Sequence, residues 1–165
     1  MRQTLCRRAQ ELYRGRQMTQ KKNIEGSFHL TGGDFTNAGG ASSELKSLLT
    51  NLGIAPEIVR RAAIATFEGE MNVIIHAVAG VMHYLVTPEH IRVTLNDMGP
   101  GIPDIEQAMQ EGYSTAPDWV REMGWGAGMG LPNMKKNADE FRIDSIVGEG
   151  TTVEILIKIK EDESL

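Results

Sequence analysis

Four short stretches of this chain carry residue types able to do chemistry, in a fixed order over about 85 residues. Glu68, Asn72 and His76 (EGEMNVIIH) are spaced i, i+4, i+8 and therefore share one face of a helix. A glutamate there can serve as a base, and an asparagine carbonyl oxygen can ligate Mg²⁺. A solvated stripe on an amphipathic helix has the same pattern. Asp97, Gly99 and Gly101 (DMGPG) come directly after a strand-like run. An aspartate at a strand end can accept a hydrogen bond from an exocyclic amine, and glycines let backbone approach a flat ring. An ordinary Gly-Pro turn has the same composition. Gly126, Gly128 and Gly130 (GAGMG) lead into Leu131 and a helix. Alternating glycine before a helix N-terminus exposes backbone N–H groups to phosphate. The stretch lacks both the GxGxxG dinucleotide spacing and the GK[ST] of a Walker loop, and a flexible linker reads the same way. Gly148, Gly150, Thr151 and Thr152 (GEGTT) lie between two strand-like runs, where taken alone they read as a hairpin turn.

The elements that must position these residues follow from periodicity. Residues 25–31 alternate as a strand and are broken by Gly32-Gly33-Asp34. Ser42 or Ser43 is the expected N-cap of a helix over 44–51, with Leu45, Leu48, Leu49 and Leu52 on one stripe and Gly53 at its C′ position. Pro56 opens a second helix running to about residue 79, with Phe67 and Val78 on its apolar stripe and Gly80 as its end. Residues 81–87 and 90–96 read as a hairpin around Pro88-Glu89. Asp104 caps a short helix through Met109. Residues 112–130 are Gly-rich and aperiodic, a long loop expected to be loose. A helix over 132–139 and strands over 141–147 and 151–159 complete the order β α α β β, short helix, Gly loop, helix, β β. The expected fold is an α/β two-layer sandwich: a mixed, mostly antiparallel sheet with helices on one face.

Composition narrows the function classes. The chain has 165 residues, 41% of them apolar and 24% charged, as expected of one folded domain. Net charge is −5, but residues 1–22 carry +6 and residues 23–165 carry −11. The body therefore repels nucleic acid, and only 5% aromatic residues argues against stacking on single-stranded bases. Residues 1–22 read as a basic, flexible extension, 23–160 as the folded domain and 161–165 as an acidic tail. Cys6 is the single cysteine, which rules out an intrachain disulfide and fits a reducing, cytoplasmic setting. The uncharged stretch at 73–86 is shorter than the roughly 20 residues a membrane helix needs.

Together, in this order and on these elements, the four stretches resemble the boxes of the GHKL ATP-binding superfamily with its Bergerat fold. The resemblance covers residues 25–160. Within that superfamily the chain is most similar to the small bacterial anti-sigma factor serine/threonine kinases of partner-switching pathways. It has no phospho-acceptor hairpin, and its short lid region holds a GYST sequence at 112–115. The resemblance implies ATP or ADP with Mg²⁺, and roles position by position. Glu68 is the catalytic base for a protein hydroxyl, and Asn72 the Mg²⁺ ligand, with His76 supporting the same face. Asp97 anchors adenine, with Gly99 and Gly101 against the ring. Gly126, Gly128, Gly130 and Leu131 form the lid hinge and phosphate cradle. Thr151 supports the adenine side, with Thr152 as its alternative. Lys135 and Lys136 read as solvated lysines near the lid helix. The implied partner is an anti-sigma factor antagonist, with a sigma factor or phosphatase as further partners and a homodimer by analogy. A non-catalytic nucleotide-binding switch module is the rival reading.

Three features depart from the pattern. Gly69 sits in mid-helix beside the base, where it costs about 1 kcal/mol relative to Ala. Glu70 adds a second carboxylate, which points about 160° away from the Asn72 line in helical projection and is the next candidate base. The basic extension has no counterpart in the family's core.

Overall fold

Period-two alternation along five strands gives a sheet with one apolar and one polar face. A computed structural model describes residues 23–159. The expected basic extension, Cys6 and the acidic tail lie outside the described residues. The strands are β1 (Ile24–Thr31), β2 (Ala79–Val86), β3 (His90–Asp97), β4 (Glu140–Ile146) and β5 (Gly150–Lys158). They are ordered β1-β2-β3-β5-β4. All four pairings are antiparallel, so the mixed sheet expected from sequence is corrected to a purely antiparallel one. On β3, Ile91, Val93 and Leu95 are buried while Arg92 and Asn96 are exposed; on β5, Val153, Ile155 and Ile157 are buried while Glu154 is exposed.

Helices α1 (Gly40–Asn51), α2 (Pro56–His76) and α5 (Gly130–Asn137) cover the apolar face, joined by the short α3 (Ile105–Ala108) and α4 (Asp118–Glu122). Helix α2 is central: it packs on α1, on α5 and across β1, β2, β3 and β5. Its Gly69 has a steric reason. A Cβ there would lie 2.9 Å from both Leu95 methyls and 3.2 Å from the Met134 methyl, so only glycine lets the helix approach this closely.

The start of α1 differs from expectation. It begins at Gly40, and neither Ser42 nor Ser43 is its N-cap; Gly39 holds that position at φ 86°. The capping acceptor comes from another helix. The buried Glu70 carboxylate accepts the backbone N–H groups of Gly39 (3.0 Å), Ala41 (3.2 Å) and Ser42 (2.9 Å). An ionised acceptor at a helix N-terminus satisfies otherwise orphaned donors and the helix dipole together. Glu70 is thereby consumed in structure, which removes it as an alternative base. The other end of α2 also moves. The helix stops at His76, Ala77 is extended, and Val78 is 77% exposed instead of lying on the apolar stripe. Gly80 belongs to β2, opposite Asp97. Leu52 and Phe67 are likewise exposed, Phe67 at the rim of a cavity. Asp104 caps α3 as expected, accepting from Gln107 N at 2.9 Å.

The stretch 112–130 is more structured than its composition implies. It contains α4, and Val120 and Ala116 are buried. Phe35, from the β1–α1 connection, stacks on Trp125 (centroids 5.3 Å apart, planes at 12°) and meets Trp119 edge-on at 5.3 Å. The lid is thus clasped to the loop that Glu70 anchors.

Two stability tests follow. Glu70→Ala leaves three donors without their acceptor and should lower unfolding free energy by about 3 kcal/mol in urea titration, whereas Glu68→Ala should cost no more than about 1 kcal/mol. Each aromatic pair contributes about 0.5–1.5 kcal/mol, so Phe35→Ala should raise amide exchange across the lid roughly tenfold while sheet amides keep their protection.

Candidate functional site

The ends of α2, β3 and β5, together with the lid, enclose a cavity of about 770 Å³. Glu68, Asn72 and His76 project into it from successive turns of α2. Asp97 enters from the end of β3, Thr151 from β5, and Gly99 and Gly101 from the loop after β3. Gly126, Gly128, Gly130 and Leu131 form the wall at the start of α5. All the site residues singled out from sequence therefore line one cavity. Thr152 does not: it lies on the opposite sheet face, donating to Asn96 Oδ1 at 2.9 Å, so of the two threonines Thr151 is the one at the site. Lys135 and Lys136 are exposed and outside the lining.

Each polar group is held in a defined state. Glu68 Oε1 accepts from Asn133 Nδ2 at 2.6 Å. The Asn72 side-chain nitrogen lies 3.8 Å from Met134 Sδ, and its oxygen lies toward the first residue of α5, where a Cβ on Gly130 would come within 3.0 Å of it. Asp97 Oδ1 accepts from Gly99 N (2.8 Å) and Thr151 N (3.1 Å), leaving Oδ2 to the cavity. Two glycine positions permit this geometry. A Cβ at Gly101 (φ 73°) would strike the Ile146 carbonyl, and one at Gly128 (φ 76°) would strike the Tyr113 carbonyl. The GYST stretch closes against the lid glycines through Gly112 N to Gly128 O at 2.9 Å.

The electrostatics are one-sided. Among the described residues the lining contains Glu68, Asp97 and Asp104 and no lysine or arginine. Burial raises the Asp97 pKa above its ordinary 3.8, opposed by the hydrogen bonds from Gly99 and Thr151 and by His76. His76 is open to solvent on its outer side, yet desolvation by the cavity wall lowers its pKa below 6.5, against the pull of Asp97. Among the described residues no group of three or more His, Cys, Asp or Glu side chains could hold a metal ion by themselves.

Sequence reasoning missed Asn133, Met134, Phe67, Trp125 and Ser145. Their importance comes from neighbours distant in the chain: Asn133 meets Glu68 from 65 positions away. No local motif encodes that pairing.

Comparison with known proteins agrees with this arrangement. The serine/threonine-protein kinase RsbT of Bacillus subtilis is 39% identical over 66 residues, spanning 40% of this chain and 44% of that protein, less than half its length. The anti-sigma F factor of Anoxybacillus flavithermus is 35% identical over 112 residues, 68% of this chain and 70% of that one. The SiaB–SiaC complex from Pseudomonas aeruginosa shares the fold, with a TM-score of 0.57 at 12% identity over 95% of this chain and 100% of that one. Among the described residues no helix is long and apolar enough to cross a membrane. Residues 34–157 match the model of the histidine kinase-like ATPase domain, a span that contains the whole cavity wall, and the chain belongs to that family.

Proposed function

We propose that this protein is an ATP- and Mg²⁺-dependent protein serine/threonine kinase that also acts as an anti-sigma switch, phosphorylating a small antagonist protein in the cytoplasm. A sigma factor or phosphatase would be its further partner, and a homodimer its working form. The observation that carries the reading is the cavity itself: Glu68, Asn72 and Asp97 face one space, with the glycines at the start of α5 in its wall. A triphosphate beside acidic side chains is favoured by a divalent cation, and Mg²⁺ is the cation proposed here. The names of the RsbT and anti-sigma F relatives support the two halves of the proposal.

In this reading Asp97 Oδ2 accepts from the exocyclic amine of adenine, with Gly99, Gly101 and Thr151 completing the base side. Gly126, Gly128, Gly130 and Leu131 place the N-terminus of α5 at the phosphates, where free N–H groups and the helix dipole favour anions. Asn72 would hold Mg²⁺ through its side-chain oxygen, and the ion when bound would supply positive charge to the phosphates. Glu68 is the general base. Asn133 occupies Oε1, which leaves Oε2 to take the proton of the substrate hydroxyl as its oxygen attacks the γ-phosphorus and ADP departs. The hydrogen bond to Asn133 also supports the rival reading, a non-catalytic nucleotide-binding module in which Glu68 only ties α5 to α2.

The Asp97 carboxylate is disfavoured by folding, because burial raises its pKa. Its contribution to stability is therefore present below pH 3.8 and is lost as pH rises through the folded-state value. Asp97→Asn should accordingly leave the ligand-free protein at least as stable at neutral pH, while weakening ATP binding at least tenfold by aiming a donor at a donor. Wild-type affinity should fall as pH drops through the raised Asp97 pKa; calorimetric titration and thermal shift check both. A wild type that shows no thermal shift with millimolar MgATP would end the nucleotide assignment.

Turnover separates the two readings. Glu68→Gln should bind ATP nearly as well as wild type but transfer phosphate to antagonist domains about 10²–10⁴-fold more slowly. Asn72→Ala should lose Mg²⁺-dependent binding and transfer together. Radiolabelled transfer measured alongside nucleotide binding decides: binding of ATP and partner without any wild-type transfer establishes the switch module.

A further inference from the structure

Ser145, on β4 opposite Thr151, has every hydrogen-bonding position of its hydroxyl filled. It accepts from Ile102 N at 2.8 Å, donates to the Gly150 carbonyl at 3.0 Å and lies 2.8 Å from Thr151 Oγ1. A hydroxyl has one proton and two acceptor lone pairs. The Gly150 carbonyl can only accept, so the Ser145 proton goes there. The Thr151 hydroxyl must then donate to Ser145. Its own proton is spent, and Thr151 Oγ1 offers only lone pairs to anything in the cavity.

We infer that Ser145 is a positioning residue for base selection: it holds Thr151 as a pure acceptor beside Asp97 Oδ2 and pins the loop after β3, through Ile102, to the β4–β5 hairpin. This inference rests on the reading that a nucleotide base sits at Asp97. The two loops are also joined by Gly148 N to the Pro100 carbonyl at 2.8 Å, and Gly150 packs so closely on the Asp97 carbonyl that a Cβ there would clash. The base-side wall therefore presents Asp97 and Thr151 Oγ1 as acceptors on segments tied to one another, with Thr151 N donating to Asp97 Oδ1 at 3.1 Å. An exocyclic amine offers two N–H groups to match them. A purine carrying a carbonyl oxygen in place of that amine meets acceptor with acceptor at Asp97. Thr151 Oγ1, were it free to rotate, would instead offer that carbonyl a proton and blunt the discrimination.

The test compares ATP with inosine triphosphate, which differs at the amine, in binding to wild type, Ser145→Ala and Ser145→Thr. Wild type should prefer ATP. Ser145→Ala should shrink that preference roughly tenfold, the worth of one such hydrogen bond, and Ser145→Thr should keep it. Amide exchange at Ile102 should quicken in Ser145→Ala and not in Ser145→Thr. A purely architectural serine would weaken both triphosphates equally, so an unchanged ratio in Ser145→Ala overturns the selection role, and unchanged exchange at Ile102 overturns the pin. A wild type that binds neither triphosphate overturns the nucleotide reading itself, a result distinct from either.

Discussion

The close approach of α2 to the sheet at Gly69 is the constraint on which the rest of this structure depends. With the Leu95 methyls 2.9 Å from where a Cβ would stand, the helix lies directly on β3, and its next residues are aimed by helical geometry alone. Glu68 faces the cavity, Glu70 reaches sideways to the N-terminus of α1, and Asn72 returns to the cavity one turn after Glu68. Two carboxylates separated by a single glycine thus have unrelated duties. One is buried among three backbone donors, and the other is half-exposed with an oxygen to spare.

The proposed chemistry asks for few protein groups. Phosphoryl transfer depends on positioning and charge neutralisation more than on covalent participation by the protein. In the proposed kinase reading the described part of the cavity supplies positioning through backbone and α2, its charged side chains are acidic, and a metal ion bound with the nucleotide would bring the neutralising charge. Asp97 carries a cost of the same kind. Its carboxylate is kept where burial disfavours ionisation, against the backbone N–H groups of Gly99 and Thr151 that favour it, which suits a group proposed to bind a ligand.

The lid and the base side are tied to the scaffold by different means. The lid is held by apolar contact, Val120 in a buried seat and Phe35 between two tryptophans, interactions that can slide and reform. The base side is held by directional hydrogen bonds converging on Ser145 and Asp97, which tolerate little displacement. The lid end of the cavity is thereby held by apolar contacts and the Asp97 end by directional hydrogen bonds, and the Phe35 loop connects the lid to the same Glu70 that caps α1.

Much of this was legible in the residues themselves. The i, i+4, i+8 line on α2 places Glu68, Asn72 and His76 on one face because helical periodicity is a local property, and the DxGxG and GxGxG stretches announce tight turns because glycine conformation is local too. The sheet strands, the α3 cap at Asp104 and the family resemblance rest on the same footing. What only the tertiary structure decided are relations between residues far apart in the chain. Ser42 has the chemistry of an N-cap, yet Glu70 displaces it because a buried carboxylate from a neighbouring helix satisfies three donors where a hydroxyl satisfies one. Gly69 looks like a defect in a helix until Leu95 fills the space beneath it. Val78 belongs to the apolar stripe by period but leaves it because α2 ends at His76, where the chain must turn to pair β2 with β1 and β3. Thr151 and Thr152 are indistinguishable in sequence; the register of β5 sends one into the cavity and the other to the open face, since adjacent side chains on a strand point to opposite sides.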